Sequence, residues 1–228
     1  MNNTTKSDSL AYKGHVKVTT MLGKKVIKTQ EFHNTGTPNL FNFFANCLWT
    51  SSTSTASAYR PSKIVLFKQH VDSSNTETAY DKDQKTYAYS STYWTEADAV
   101  SIPMFYDKTP TGDNELGPTD VKETWTDSQG VDHTRIIGKS ITLHFRIPYI
   151  YLEGNTSIVK MGLFPSVVSF PATKSTIDTT TDFGNMLAYY ILTKENDDKS
   201  IDFDPIEVPE AGDNYTLIVD WTLSIANA

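Results

Sequence analysis

Only one cysteine, Cys47, stands in the 228 residues of this chain. It permits no internal disulfide and excludes every zinc pattern that needs several thiolates. Basic residues are also in short supply: 20 Lys and Arg stand against 27 Asp and Glu, for a net charge of -7. A nucleic-acid binder needs a basic excess to neutralise phosphates, so nucleic acid is not an expected partner. No apolar run approaches the roughly 18 residues that span a bilayer, and the first 30 residues hold no apolar signal core. A membrane partner is therefore not expected either, and the chain reads as a soluble, acidic protein made without a secretory signal.

Motifs of catalysis are equally scarce. The sequence has no G-x-S-x-G elbow and no Gly-rich phosphate loop. Its histidines, His15, His33, His70, His133 and His144, form neither HExxH nor an i, i+4 pair on a helix. His144 falls on the polar side of a strand and reads as a cross-strand or surface residue, while His33 beside Asn34 reads as holding a strand-to-helix corner. The carboxylate pairs Asp81/Asp83, Asp197/Asp198 and Asp202/Asp204 read as solvated turns or charged strand edges. A glycan-cleaving site would need two carboxylates about 5–10 Å apart across a cleft. Asp202, Asp204 and Glu207 are the candidates for it. No enzyme activity, metal or cofactor is expected.

What the chain does have is 31 Thr, 20 Ser, 12 Tyr and 11 Phe. β-branched and aromatic side chains suit a pleated, half-buried surface and lose rotamer freedom in helices, so a mainly β fold is expected. Residues 1–13 read as a flexible N-terminal arm and 14–228 as one antiparallel β-sandwich domain, with 69–135 an elaborated or inserted loop region. Val16, Val18 and Thr20 alternate with polar residues, turn at Leu22–Lys25, and continue as a hairpin whose register the doublet Val26-Ile27 obscures. Leu40, Phe41, Phe44, Cys47 and Leu48 have helical spacing, with Thr37 as N-cap and Pro38 at the first position, so one buried helix is expected there.

Residues 62–68 form a continuous apolar run, the mark of a central strand, and 99–106 read as a further strand. A hairpin is expected about Asp127–Gly130. Beyond it Ile141, Leu143, Phe145 and Ile147 face one way and Thr142, His144 and Arg146 the other. Residues 157–170 read as a strand ending at Pro171. Leu217, Val219, Trp221, Leu223 and Ile225 share one face of a closing strand. Phe41, Phe44, Phe164 and Trp221 are the expected structural core. Tyr80, Tyr87, Tyr89, Tyr93 and Trp94 stand in a stretch too polar to make its own core. They are the candidate contacts for a partner protein or a glycan.

One arrangement resembles a known family. Its pieces are Asn34-Thr35-Gly36, a helix over Leu40–Leu48, a strand at Ser62–Phe67, Met161-Gly162-Leu163-Phe164, Met186-Leu187-Ala188, Pro205-Ile206 and the closing strand Leu217–Ile225 with Trp221 at its centre. In this order they resemble β-sandwich structural proteins of tailed-bacteriophage virions, over about residues 14–67 and 141–226. Where the commoner pattern has a glutamate before the Gly-Leu-Phe strand, this chain has Lys160 or Met161, depending on register.

The resemblance extends alike to tail fibres, baseplates, necks and head appendages. It implies a non-enzymatic particle component that works as a homo-oligomer in the virion and is made in the host cytoplasm. Its implied partners are other virion proteins: capsid, portal, neck or tail subunits. The alternative is a receptor- or host-glycan-binding module that uses the 80–94 loop.

Overall fold

The computed structural model describes residues 10–37, 40, 41, 43–45, 61–71, 99–104, 118–152, 156–165, 186–210 and 214–227. The fold is mainly β, and every strand pairing in it is antiparallel. The strands are β1 (Leu10–Leu22), β2 (Lys25–Gly36), β3 (Pro61–Phe67), β4 (Ala99–Met104), β5 (Thr119–Thr126), β6 (Asp132–Pro148), β7 (Thr156–Ile158), β8 (Lys160–Pro165), β9 (Ala188–Ile191), β10 (Thr193–Glu195), β11 (Ile201–Phe203), β12 (Ile206–Val208) and β13 (Tyr215–Asn227). Nine of them form one sheet in the order β4-β3-β8-β9-β2-β1-β13-β6-β5, and β10-β11 and β12-β7 form two small ribbons.

The period-2 pattern read from the sequence explains the first half of the sheet. Val16, Trp221 and Leu143 lie side by side across β1, β13 and β6; so do Val18, Val219 and Phe145, and then Thr20, Leu217 and Ile147. All nine are buried. The alternate residues make polar rows on the other face, such as Lys17, Asp220 and His144. This half curls like half of a barrel.

β2 joins the two halves. Over Lys25–Asn34 it pairs with β1, and at Thr35 and Gly36 it pairs instead with β9. Every side chain described in β3 and β8 is buried, so both faces of these strands are covered. That is what a continuous apolar run means in a sheet. β3 is nevertheless the second strand from the edge, and β4 closes that side. Pro103, which has no N–H to donate, falls on this edge strand. A single core cluster takes Val16, Phe145 and Trp221 from the curled half and Ile64, Leu66, Met161 and Leu163 from the other.

Several boundaries differ from the sequence reading. Residues 10–13, expected as part of a flexible arm, belong to β1 and pair with the end of β13. The 69–135 region contributes β4, β5 and the start of β6 to the main sheet. Of the strand expected to run to Pro171, β7 and β8 are described up to Pro165, and 166–171 lie outside the described residues. Leu40, Phe41 and 43–45 are helical, and Leu40 N–H bonds the Thr37 carbonyl. The Thr37 hydroxyl donates to the Met186 carbonyl at 2.5 Å and ties the helix start to the β9 side.

Phe41 is a correction to the core. It is 55 % exposed, whereas Leu40 is fully buried. Successive helical residues point about 100° apart, so the turn that aims Leu40 inward aims Phe41 out. Phe44 is half-buried, and Phe164 and Trp221 are completely buried. Among the described residues no helix is long and apolar enough to cross a membrane.

Candidate functional site

The two ends of the curled half carry exposed apolar side chains. At one end β6 outruns its neighbour: its last pair with β13 is Gly138 with Ala226, yet it continues back to Asp132 paired only with β5. These five pairs, Lys122/Ile136 to Thr126/Asp132, project beyond the sheet as a two-stranded spur of about 17 Å at 3.4 Å per residue. Each side chain from Lys122 to Thr126 and from Asp132 to Ile136 is exposed, so the spur is open on both faces.

The spur holds its own shape. Asp127 accepts backbone N–H bonds from Gln129 and Val131, both at 2.9 Å, and its second oxygen lies 2.7 Å from His133 Nε2. Gly130 takes the left-handed φ of 81° that closes this turn. Trp125 stacks on His133 with ring centroids 5.3 Å apart, and the Arg135 guanidinium lies 5.8 Å from the Trp125 ring centre while bonding Glu123 at 2.6 Å. Asp120 and Lys139 form an ion pair at the base. Exposed Trp125, Val131 and Ile136 add apolar area to this charged frame.

The His133 hydrogen bond, followed by the Val131 N–H, holds the Asp127 carboxyl below its usual 3.8. A depressed carboxyl stabilises the fold above its unfolded pKa, and that contribution is lost as the pH falls through the folded value. The spur turn is therefore expected to loosen below pH 3.8. Amide exchange at Gln129 and Val131 should speed up there before the β1–β13 amides do; equal protection at both places would contradict the assignment.

At the opposite end lies the β1–β2 hairpin tip. Gly23 adopts φ 60° in its two-residue turn, as a tight hairpin requires. A β-bulge shifts the register at Thr20/Met21, with Lys28 opposite Thr20 and Val26 opposite Met21. Ile27 is the extra residue, and the bulge is the physical reason for the apolar doublet that breaks the alternation. Leu22, Val26 and Ile27 are each about half exposed. Beside them a groove of about 550 Å³ is lined by Thr20, Leu22, Ile27, Glu207, Val208, Pro209 and Tyr215. The 3-10 turn Tyr149–Tyr151, which follows β6, brings Ile150 to this end, 80 % exposed.

The residues singled out from the sequence are not gathered in one place. Tyr80, Tyr87, Tyr89, Tyr93, Trp94, Cys47 and the Asp81/Asp83 pair lie outside the described residues. Asp202 accepts from Asn196 Nδ2 at 2.6 Å inside the β10–β11 ribbon, where Asp198 binds Ser200. Asp204 accepts from Gln30 Nε2 at 2.9 Å, and Glu207 accepts from the Ser157 hydroxyl at 2.5 Å. Each of the three carboxylates thus has its own separate partner. His144 Nδ1 lies 2.5 Å from Asp220 Oδ1, the residue opposite it on β13, so it is the cross-strand residue expected. His33 faces His15 across β2 and β1, with ring centroids 6.0 Å apart. Among the described residues no cluster of His, Cys, Asp and Glu is arranged to hold a metal ion.

A second cavity, about 220 Å³, lies at the spur end of the core between Phe43, Phe44, Leu143, Leu223 and Ile225. The sequence reading passed over the spur and the hairpin tip as ordinary hairpins. Their signals were Trp125, Val131 and Ile136 inside a polar stretch, and the doublet Val26-Ile27. Comparison of the chain with family models, with curated proteins and with solved structures gives no match.

Proposed function

We propose that this chain is a non-enzymatic structural subunit of a tailed-phage virion, a β-sandwich whose two sheet halves pack face to face and which acts as a multimer on the tail, neck or head. Three things support the reading. The order of sequence elements resembles that of such proteins. The common core fed by both halves of the sheet suits a sandwich. The observation that carries most weight is the spur, open on both faces and bearing Trp125, Val131 and Ile136.

An exposed ribbon of this kind gains nothing from a solitary existence. Two-stranded hairpins are marginal alone, and apolar side chains displayed on both faces are stabilised by a neighbour. Its role in a particle is geometric: the curled sheet is the rigid body, and the projecting ends reach other subunits. Quantitative mass spectrometry of purified phage particles from the host that makes this chain tests the reading. The chain should be present at a fixed multiple of the portal protein and should persist through density-gradient purification. A chain confined to the lysate supernatant would contradict it.

A further inference from the structure

We propose that copies of this chain join head to tail, the β5–β6 spur of one copy seating on the β1–β2 hairpin tip and its groove in the next. The inference rests on the reading of the chain as an assembly subunit and names the partner of the spur. Of the ten exposed large hydrophobic side chains among the described residues, three lie on the spur and five at the hairpin-tip end. The two sites stand at opposite ends of β6, whose 17 residues span roughly 50 Å. A molecule therefore cannot satisfy its own spur with its own tip.

Charge decides between the possible pairings. From Lys122 to Ile136 the spur carries Glu123, Asp127 and Asp132 against Lys122 and Arg135, and at its base Asp120 is matched by Lys139. From Leu22 to Lys28 the hairpin tip carries Lys24, Lys25 and Lys28 and no carboxylate. Lys28 has a counter-charge, Asp204 at 3.6 Å, but Lys24 and Lys25 form no ion pair among the described residues. Spur against spur would set carboxylates against carboxylates, and tip against tip would set lysines against lysines. Spur against tip places unlike charges around two apolar centres, the arrangement that favours correct encounter and penalises the others.

The groove beside the tip is within the volume range of pockets that swallow a large side chain, and Trp125 is the largest that the spur offers. Its single lining carboxylate, Glu207, is a counter-charge for Arg135. A contact between two different patches of one chain is heterologous, so it propagates into a ring or a filament instead of stopping at two copies.

Sedimentation velocity on the full chain tests this with two charge-reversed variants, Lys24→Glu/Lys25→Glu and Glu123→Lys/Asp132→Lys. All four positions are exposed, and matching circular dichroism verifies that each variant folds. The wild type should form a concentration-dependent series larger than a dimer. Each variant alone should associate more than about tenfold more weakly, because its spur and tip then carry charge of the same sign. An equal mixture should assemble again, since each variant's tip is complementary to the other's spur. Val131→Ser, which removes apolar area without touching charge, should also weaken the series. A wild type that stays monomeric or closes as a dimer, variants that assemble like wild type, or a mixture that stays apart would each overturn the head-to-tail contact. A chain found in the particle without this contact would sink the inference and leave the proposed function standing, whereas a chain missing from the particle would sink that reading.

Discussion

Trp221→Ala should lower the unfolding free energy by about 3–5 kcal/mol, the usual cost of emptying a large buried aromatic site. Trp221 is fully buried at the centre of β13, with Val16 on one side and Leu143 on the other. Both flanking strands are hydrogen-bonded on each side of it, so the walls have little freedom to collapse into the void. In a urea titration the midpoint should fall with the slope unchanged, because the surface exposed on unfolding stays nearly constant.

Trp221→Phe should cost clearly less than its loss of volume suggests. The indole Nε1–H of Trp221 is buried with no hydrogen-bond partner among the described residues, and leaving such a donor unsatisfied costs about 1–3 kcal/mol. Phenylalanine removes the donor along with part of the ring. Unchanged stability in Trp221→Ala would place the core elsewhere, and a Phe variant as damaged as the Ala variant would contradict the unsatisfied indole.

Gly138→Ala is the second large effect, about 1–3 kcal/mol or more from overpacking. A Cβ built at Gly138 would lie 2.1 Å from the Ile225 carbonyl oxygen and 2.6 Å from the Ala226 Cα, and backbone cannot step aside as a flexible side chain can. Gly138 is also where β6 parts from β13, and the register of β5 on β6 shifts at the neighbouring Val121/Lys122 step. The variant should therefore move the whole spur as well as lower the melting temperature. Association should weaken even under conditions where the variant remains folded. Full stability with wild-type association would mean that β6 and β13 do not approach so closely here.

The strands of the curled half were legible because one of their faces is buried and the other is wet. Under that condition alternation of period two is unavoidable, and Leu217 to Leu223 or Leu143 to Ile147 spell it out. The turn at Asp127–Gly130 was legible for a local reason: an aspartate that binds two following N–H groups and a glycine at positive φ are turn chemistry visible in four residues. Phe41 was misplaced because helical spacing gives the width of an apolar stripe but not where its edge falls. The strand neighbours of β3 were hidden because order in a sheet depends on pairings across more than 90 residues, such as Val65 with Gly162. The spur and the hairpin tip escaped notice for another reason. Exposure is a property of what fails to cover a residue, and the alternation that marks a strand does not say whether anything lies on its other side.

Cryo-electron microscopy of phage particles purified from the cells that make this chain tests the central claim most directly. The account predicts density for the chain at a symmetric site, with the spur of each copy, Trp125 foremost, resting on the Lys24–Lys25 tip of its neighbour and the curled sheet unchanged. Density for a single unattached copy, or a particle that lacks the chain while the free protein cleaves glycans, would contradict it.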